Sequence, residues 1–382
     1  MKNYLLPFAC VLFLLSCGEK NTENITNVEN LTLTKVDSIQ VPYFGLLNFM
    51  DIHPATERVL FFDQKKASLV VSNFTGTEIF EIKKDREDPD GYGSFPLGAG
   101  KFSADGQTFT IVSNQGVYTY DLEGNLVHGG KHQREKMPAF SGRASADTEF
   151  YWVGDRILTT GSGRGDYQRN TAEFYENYTA LAWFDTLERN VEQFMYLDET
   201  SFFKNGKAHD IAHLIPRVTT DTERIYYIVG IEPALNIHDV NTPYKQIKRI
   251  PLNIPDYHFN QGEPFEEADP RIINPDIFSG RFDNIKVTDK YILVSFFPGI
   301  SERDQDKYEN MHWSELMNKT RKDYPSRLLV MDLEGELIKQ LEIPVELDDT
   351  QWLVRGDFLY FKSSINLEEE EDFVKIYKVK LE

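Results

Sequence analysis

Cysteine is nearly absent from this chain: there are two, Cys10 and Cys17, both close to the start. The rest of the chain can therefore form no disulfide, no thiolate metal site and no cysteine nucleophile, and it must be held together by core burial. An excess of basic charge is also missing. Lys and Arg number 41 against 61 Asp and Glu, a formal charge of -20, which excludes wholesale nucleic-acid binding because phosphate contacts need a basic surface. Apolar runs are few, and the longest, from Tyr4 to Leu15, covers roughly 12 residues, too short to span a bilayer as a helix. There is no Gly-x-Ser-x-Gly elbow, no phosphate loop and no dinucleotide fingerprint. The acidic stretch Asp85 to Gly91 is no calcium loop, since Arg86 and Leu97 stand where oxygen ligands belong. Helical periodicity is scarce.

What is present is apolar and aromatic bulk. The 382 residues are 41% hydrophobic and 13% aromatic, with 27 Phe and 19 Tyr, enough to fill a large core rather than stay disordered. An all-β propeller or barrel can use this length as a single domain.

The N-terminus carries an address. Lys2 precedes the apolar run, which ends Leu14-Leu15-Ser16-Cys17-Gly18. This resembles a bacterial lipobox, in which residues 1–16 are removed and Cys17 is acylated. Several acyl chains on one cysteine anchor firmly where a single chain is marginal. Residues 17–30 are polar and aperiodic and read as a flexible tether. Gly18 rather than Asp after the cysteine argues against inner-membrane retention, so the expectation is a lipid-anchored protein of the cell envelope at the outer membrane, with the leaflet open.

From Leu31 onward short β-rich runs alternate with turn signals. Asp121-Leu122-Glu123-Gly124-Asn125 returns as Asp332-Leu333-Glu334-Gly335-Glu336, and weaker copies begin at Asn73, Asp185 and Asp239. In each the first side chain can accept from turn N–H groups, and glycine, where present, supplies a positive φ. A second turn family, typified by Ser103-Ala104-Asp105-Gly106, lies upstream in every unit. Each unit thus holds four strands, a to d, in two hairpins over about 45 to 65 residues, which is the blade of a β-propeller. Six units fit. The last has no room for a fourth strand after Val374 to Val379, and Leu33 to Val41 can supply it, removing two exposed strand edges. The predicted fold is all-β: a six-bladed propeller over residues 31–382, closed by its N-terminal strand, with one inserted helix near 304–321 carrying a partial apolar stripe of Tyr308, Met311, Trp313 and Leu316.

In such a blade the b–c and d–a loops share one face. The long segments Asp85 to Leu97, Thr160 to Asn177, Asp256 to Asp283 and Gly299 to Ser326 all fall there, and long loops on a rigid scaffold are where binding concentrates. Candidate ligand contacts are Arg164 and Tyr167 in the Gly-rich loop that also holds Arg169, where the guanidinium forks suit carboxylate, phosphate or sugar acids, together with Arg217, Arg271 and Arg281. His209 and His213, four apart, read as part of strand a of the fourth unit, both facing the channel. No Glu follows His209, so the zinc-protease pattern fails, and neither metal nor cofactor is expected. The run Glu368 to Asp372 reads as solvated surface.

The lipobox, the Asn-rich tether and the degenerate blades together resemble the six-bladed, TolB-like propeller lipoproteins of Bacteroidota, a group of unknown function. Glu87-Asp88-Pro89-Asp90-Gly91-Tyr92-Gly93 is similar to that group's E-G-P-x-G-x-G loop, with Asp88 in place of the first glycine. The resemblance implies fold and envelope location and brings no catalytic residues. The expected function is a monomeric, non-enzymatic binding propeller that presents its loop-rich face to a ligand or an envelope protein. The alternative is a glycan-active hydrolase or lyase with its site in the channel.

Overall fold

The computed structural model describes residues 30–84, 87–93, 95–133, 143–163, 165–271, 276–308, 311–365 and 371–382. Among them are six antiparallel four-stranded sheets. In chain order blade 1 is β2 (Leu47–His53), β3 (Arg58–Asp63), β4 (Ser68–Asn73) and β5 (Ile79–Ile82). Blade 2 is β6 (Lys101–Phe102), β7 (Thr108–Val112), β8 (Gly116–Asp121) and β9 (Leu126–Lys131). Blade 3 is β10 (Tyr151–Val153), β11 (Arg156–Gly163), β12 (Thr179–Asp185) and β13 (Asn190–Tyr196). After the short β14 (Lys207–Ala208), blade 4 is β15 (Pro216–Thr220), β16 (Arg224–Val229), β17 (Ala234–Asp239) and β18 (Gln246–Pro251). After β19 (Glu263–Pro264), blade 5 is β20 (Arg281–Val287), β21 (Ile292–Phe297), β22 (Arg327–Met331) and β23 (Leu337–Glu342). Blade 6 is β24 (Leu347–Arg355), β25 (Phe358–Ser363), β26 (Val374–Leu381) and, outermost, β1 (Leu33–Val41).

The ring closes as the strand arithmetic requires: β1 pairs antiparallel with β26 from Leu33 opposite Leu381 to Val41 opposite Val374. Pairing consumes both edges that an open array would expose. Burial follows position within the blade. The middle strands β3 and β21 are buried almost throughout, because neighbouring blades cover both faces, whereas the outer β9 and β23 are largely exposed or half-buried. An apolar cluster fills each of the six joints between blades. The joint between blades 3 and 4 holds Trp183, Tyr178 and Tyr227, and that between blades 5 and 6 holds Trp352 and Phe361. The joint between blades 2 and 3, around Ile157 and Phe184, is the thinnest of the six.

The repeated turns do what their residues dictate. Asp121 accepts from the N–H groups of Glu123 and Asn125, and Asp332 from those of Glu334 and Glu336, at 2.8 to 3.1 Å. Gly124 and Gly335 sit at φ +89° and +82°.

The insertion after β21 forms two helices, α2 (Glu302–Gln305) and α3 (Trp313–Asp323), rather than one continuous helix over 304–321. A third short helix, α1 (Ala172–Glu176), lies in the β11–β12 loop. Tyr308, Leu316 and Met311 pack with Phe297, Ile300 and Phe278, so the apolar stripe pins the insertion to blade 5. Among the described residues no helix is long and apolar enough to cross a membrane.

Candidate functional site

The first strand of each blade lines the channel, and the chain does not leave that channel open. Residues 144–150, leading into β10, are all buried, and their 3-10 turn Ala146–Thr148 packs against the inner strands β2, β15, β20 and β24 of four other blades. Lys286 Nζ donates to the Ala146 carbonyl at 3.0 Å. This plug carries two carboxylates into the axis.

Glu149, 3% exposed, is gripped from three blades: by Lys101 Nζ at 2.9 Å, Lys286 Nζ at 3.3 Å and Arg355 Nη2 at 2.9 Å. Arg355 also pairs with Asp51, whose second oxygen accepts from the Phe102 N–H at 2.7 Å. Burial pushes the Glu149 carboxyl up, but the charges of Arg355, Lys101 and Lys286 outweigh it and hold it well below the ordinary range. Burial lowers Lys286 to about 8, with Glu149 opposing. Blades 1, 2, 3, 5 and 6 meet in this network.

Above it, on the loop face, lies the channel mouth, a cavity of about 310 Å³ lined by Arg143, Asp147, Arg217, Arg281 and Asp283. Asp147 takes Arg143 at 2.9 Å and Arg217 at 3.2 Å. Burial raises its carboxyl, and the two guanidiniums with the Ser145 hydroxyl bring it below the usual value. Arg281 Nε donates to Asp283 Oδ1 at 3.0 Å, while Asp283 Oδ2 is buried with no hydrogen-bond partner. Burial lifts Asp283 to about 6, and Arg281 opposes without prevailing. The Arg143 and Arg281 side chains stay roughly half exposed to the mouth, at 51% and 41%. On the opposite face the channel ends in a wider opening of about 690 Å³ around Trp152, Asp221 and Asp289.

A second loop-face cavity, about 360 Å³, is built by the connections between blade strands: Arg169 from β11–β12, Asp210 and His213 from the segment between β14 and β15, and Asn260, Glu263 of β19, Asp276 and Phe278 from the β18–β20 connection. The 3-10 turn Ile211–Leu214, capped by the Asp210 side chain, separates it from the mouth, which Ala212 and Ile215 line.

These geometries sort the residues proposed from sequence. Arg217 and Arg281 meet at the mouth. His209 and His213 do not lie on strand a of blade 4, which begins at Pro216, and that reading is corrected: they occupy the loop before it. Loops have no two-residue alternation, so the spacing of four does not aim both rings the same way. His209 sits in an aromatic cage of Tyr175, Phe202 and Phe203, where burial pushes it down to about 3. His213 lines the loop-built cavity. Tyr167 is exposed, and Arg271 is exposed and paired with Asp269 at 2.8 Å; neither lines either cavity. Arg164, Cys17 and Glu368 to Glu370 lie outside the described residues.

Of the plug and its partners, the sequence pointed only to Arg217. The one visible trace of the rest is a charge inside an apolar strand: Asp51 within Asn48-Phe49-Met50-Asp51-Ile52 and Lys286 within Ile285-Lys286-Val287.

No protein-family model and no curated protein sequence matches this chain. Solved structures do. A member of the DUF4221 family from Bacteroides vulgatus is 13% identical with a TM-score of 0.63, covering 92% of this chain and 98% of its own. Virginiamycin B lyase from Staphylococcus aureus is 10% identical with a TM-score of 0.45, covering 92% and 100%. A luciferin-regenerating enzyme is 11% identical with a TM-score of 0.43, covering 92% and 95%. The first shares the six-bladed fold with this chain, and at these identities no residue role passes from any of the three.

Proposed function

We propose that this chain is a cell-envelope lipoprotein, anchored through Cys17, whose propeller binds a carboxylate-bearing ligand such as a sugar acid at the loop-face mouth of its plugged channel. One observation carries the ligand class: Arg143, Arg217 and Arg281 converge on a single cavity, and two of the three keep about half of their side-chain surface open to it. A guanidinium offers five donors in a planar fork, so an arginine already paired with Asp147 or Asp283 retains N–H groups for a second carboxylate. The channel carboxylates support binding over hydrolysis. Glu149 and Asp147 are held ionised by cations and make poor general acids.

The test titrates the intact chain in detergent with sodium glucuronate and with glucose. Saturable glucuronate binding, at least tenfold weaker in Arg281→Ala, with no binding of glucose, is the expected result; equal affinity for both sugars overturns the ligand class. Metabolic palmitate labelling that marks the wild type and not Cys17→Ser tests the anchor.

Asp283 supports a second reading. A buried carboxyl titrating near pH 6, with one oxygen unpartnered beside three arginines, has the properties of a general acid in a glycan-active enzyme. Turnover of uronic-acid glycans that Asp283→Asn abolishes while binding persists would favour that reading. Binding without turnover favours the first.

A further inference from the structure

The loop-built cavity beside the mouth has chemistry of the opposite sign. Three carboxylates line it, Asp210, Glu263 and Asp276, against one guanidinium, Arg169. The donors there are engaged: Arg169 bonds Glu263 at 3.3 Å and the Asp269 carbonyl at 2.6 Å, and Asn260 Nδ2 donates to Asp276 Oδ2 at 2.9 Å. Asp276 Oδ1 accepts from the N–H groups of Phe278 and Ser279, which fixes the carboxylate at the cavity wall. His213, 6% exposed, lines the same cavity with neither ring nitrogen hydrogen-bonded. Buried polar groups are paired as a rule, and an imidazole with both nitrogens orphaned beside an open cavity points to something that would pair it. Burial lowers the basicity of this ring against the pull of Asp276 and Asp210, which favours the neutral form, an acceptor as well as a donor.

We infer that this cavity is a binding site for a small primary aliphatic ammonium, whose N–H groups are taken by Asp276, Asp210 and His213 and whose alkyl stem lies on Ile277 and Phe278. The sign of the charge selects a cation, and the His213 ring, with neither nitrogen hydrogen-bonded, selects one that carries N–H donors. Among the described residues no three His, Cys, Asp or Glu side chains gather closely enough to hold a metal ion, which separates this site from a divalent-cation site. A cavity of about 360 Å³ accommodates a small organic molecule. The inference is independent of the proposal for the mouth.

The test is calorimetry on the intact chain in detergent with four probes: n-butylammonium chloride, n-butanol, sodium butyrate and zinc chloride. Saturable binding of n-butylammonium alone, weakened at least tenfold in Asp276→Asn and in His213→Leu and unchanged in Arg281→Ala, is the expected result. Because Asp276 and Asp210 both cap turns, ¹⁵N-histidine spectra of the wild type, which need no variant, keep the inference testable: the His213 ring resonances move on adding the amine. Equal binding of n-butanol, binding of zinc alone, no binding of the amine, or amine binding that leaves the His213 resonances in place overturns the inference. Loss of glucuronate binding in Arg281→Ala with amine binding intact separates the two sites.

Discussion

Glu149 shows how much one buried residue does in the centre of this ring. Three cations from blades 2, 5 and 6 converge on it, and Lys286 has been taken fully out of water to reach it. Removing one partner of a buried ion pair costs far more than the pair itself contributes, because the remaining charges stay desolvated. Glu149→Gln is therefore expected to destabilise the fold by about 3 to 5 kcal/mol, read from urea or guanidinium unfolding. Asp283 shifts the other way. Its folded-state value, about 6, lies above the unfolded 3.8, so its contribution to stability is full below pH 3.8 and is lost as the pH rises through 6. Between those limits Asp283→Asn should flatten the fall in wild-type stability, by on the order of 2 to 3 kcal/mol. Protonated Asp283 also repels no anion, so glucuronate affinity at the mouth should rise as pH falls through 6 in the wild type and stay level in Asp283→Asn. Titrations at pH 5 and pH 8 check this.

At the scale of elements, the c–d turns were legible and their second duty was not. Asp-x-x-Gly spacing announces a positive φ from sequence, and Gly124 and Gly335 have it. Each glycine also touches the outer strand of the preceding blade: a Cβ on Gly124 would meet Ile82 of β5 at 2.6 Å, and one on Gly335 would meet Ile250 of β18 at 2.1 Å. Gly335→Ala thus strains the turn and pushes blades 4 and 5 apart. A loss of about 1 to 3 kcal/mol is expected, measurable as a lower thermal midpoint, whereas Gly154→Ala, with nothing near its Cβ, suffers only the φ penalty. The loop motif that resembles E-G-P-x-G-x-G also has a structural use. Tyr92 is buried between blades 1 and 2 and donates to the Ala67 carbonyl at 3.0 Å. The segment His209 to His213 reads as strand because residues four apart share one side there, but Ile211–Leu214 is a 3-10 turn capped by the Asp210 side chain.

For the whole molecule, closure by β1 is the decisive event. The strand comes from the far end of the chain, so the blade 6 joint forms only when both termini have met, and Ile39 and Val41 are part of the cluster that seals blade 6 to blade 1. Deleting Leu33 to Val41 should leave β26 as an open edge and turn a cooperative fold into an aggregating one, checked by light scattering and calorimetry. The plug adds a second tie across the ring, through ion pairs that reach five blades.

The blade count, the closing strand, the turn glycines and the gathering of long loops on one face were all in the sequence. Each follows from local periodicity, turn chemistry and the arithmetic of four strands per unit. The plug was not, and neither was the gathering of Arg217 and Arg281 at one cavity and of His213 at another. Their residues come from positions separated by up to about 300 residues, such as Asp51 and Arg355, and from loops without a period, so only the folded ring decides which charges meet and which stay unpaired.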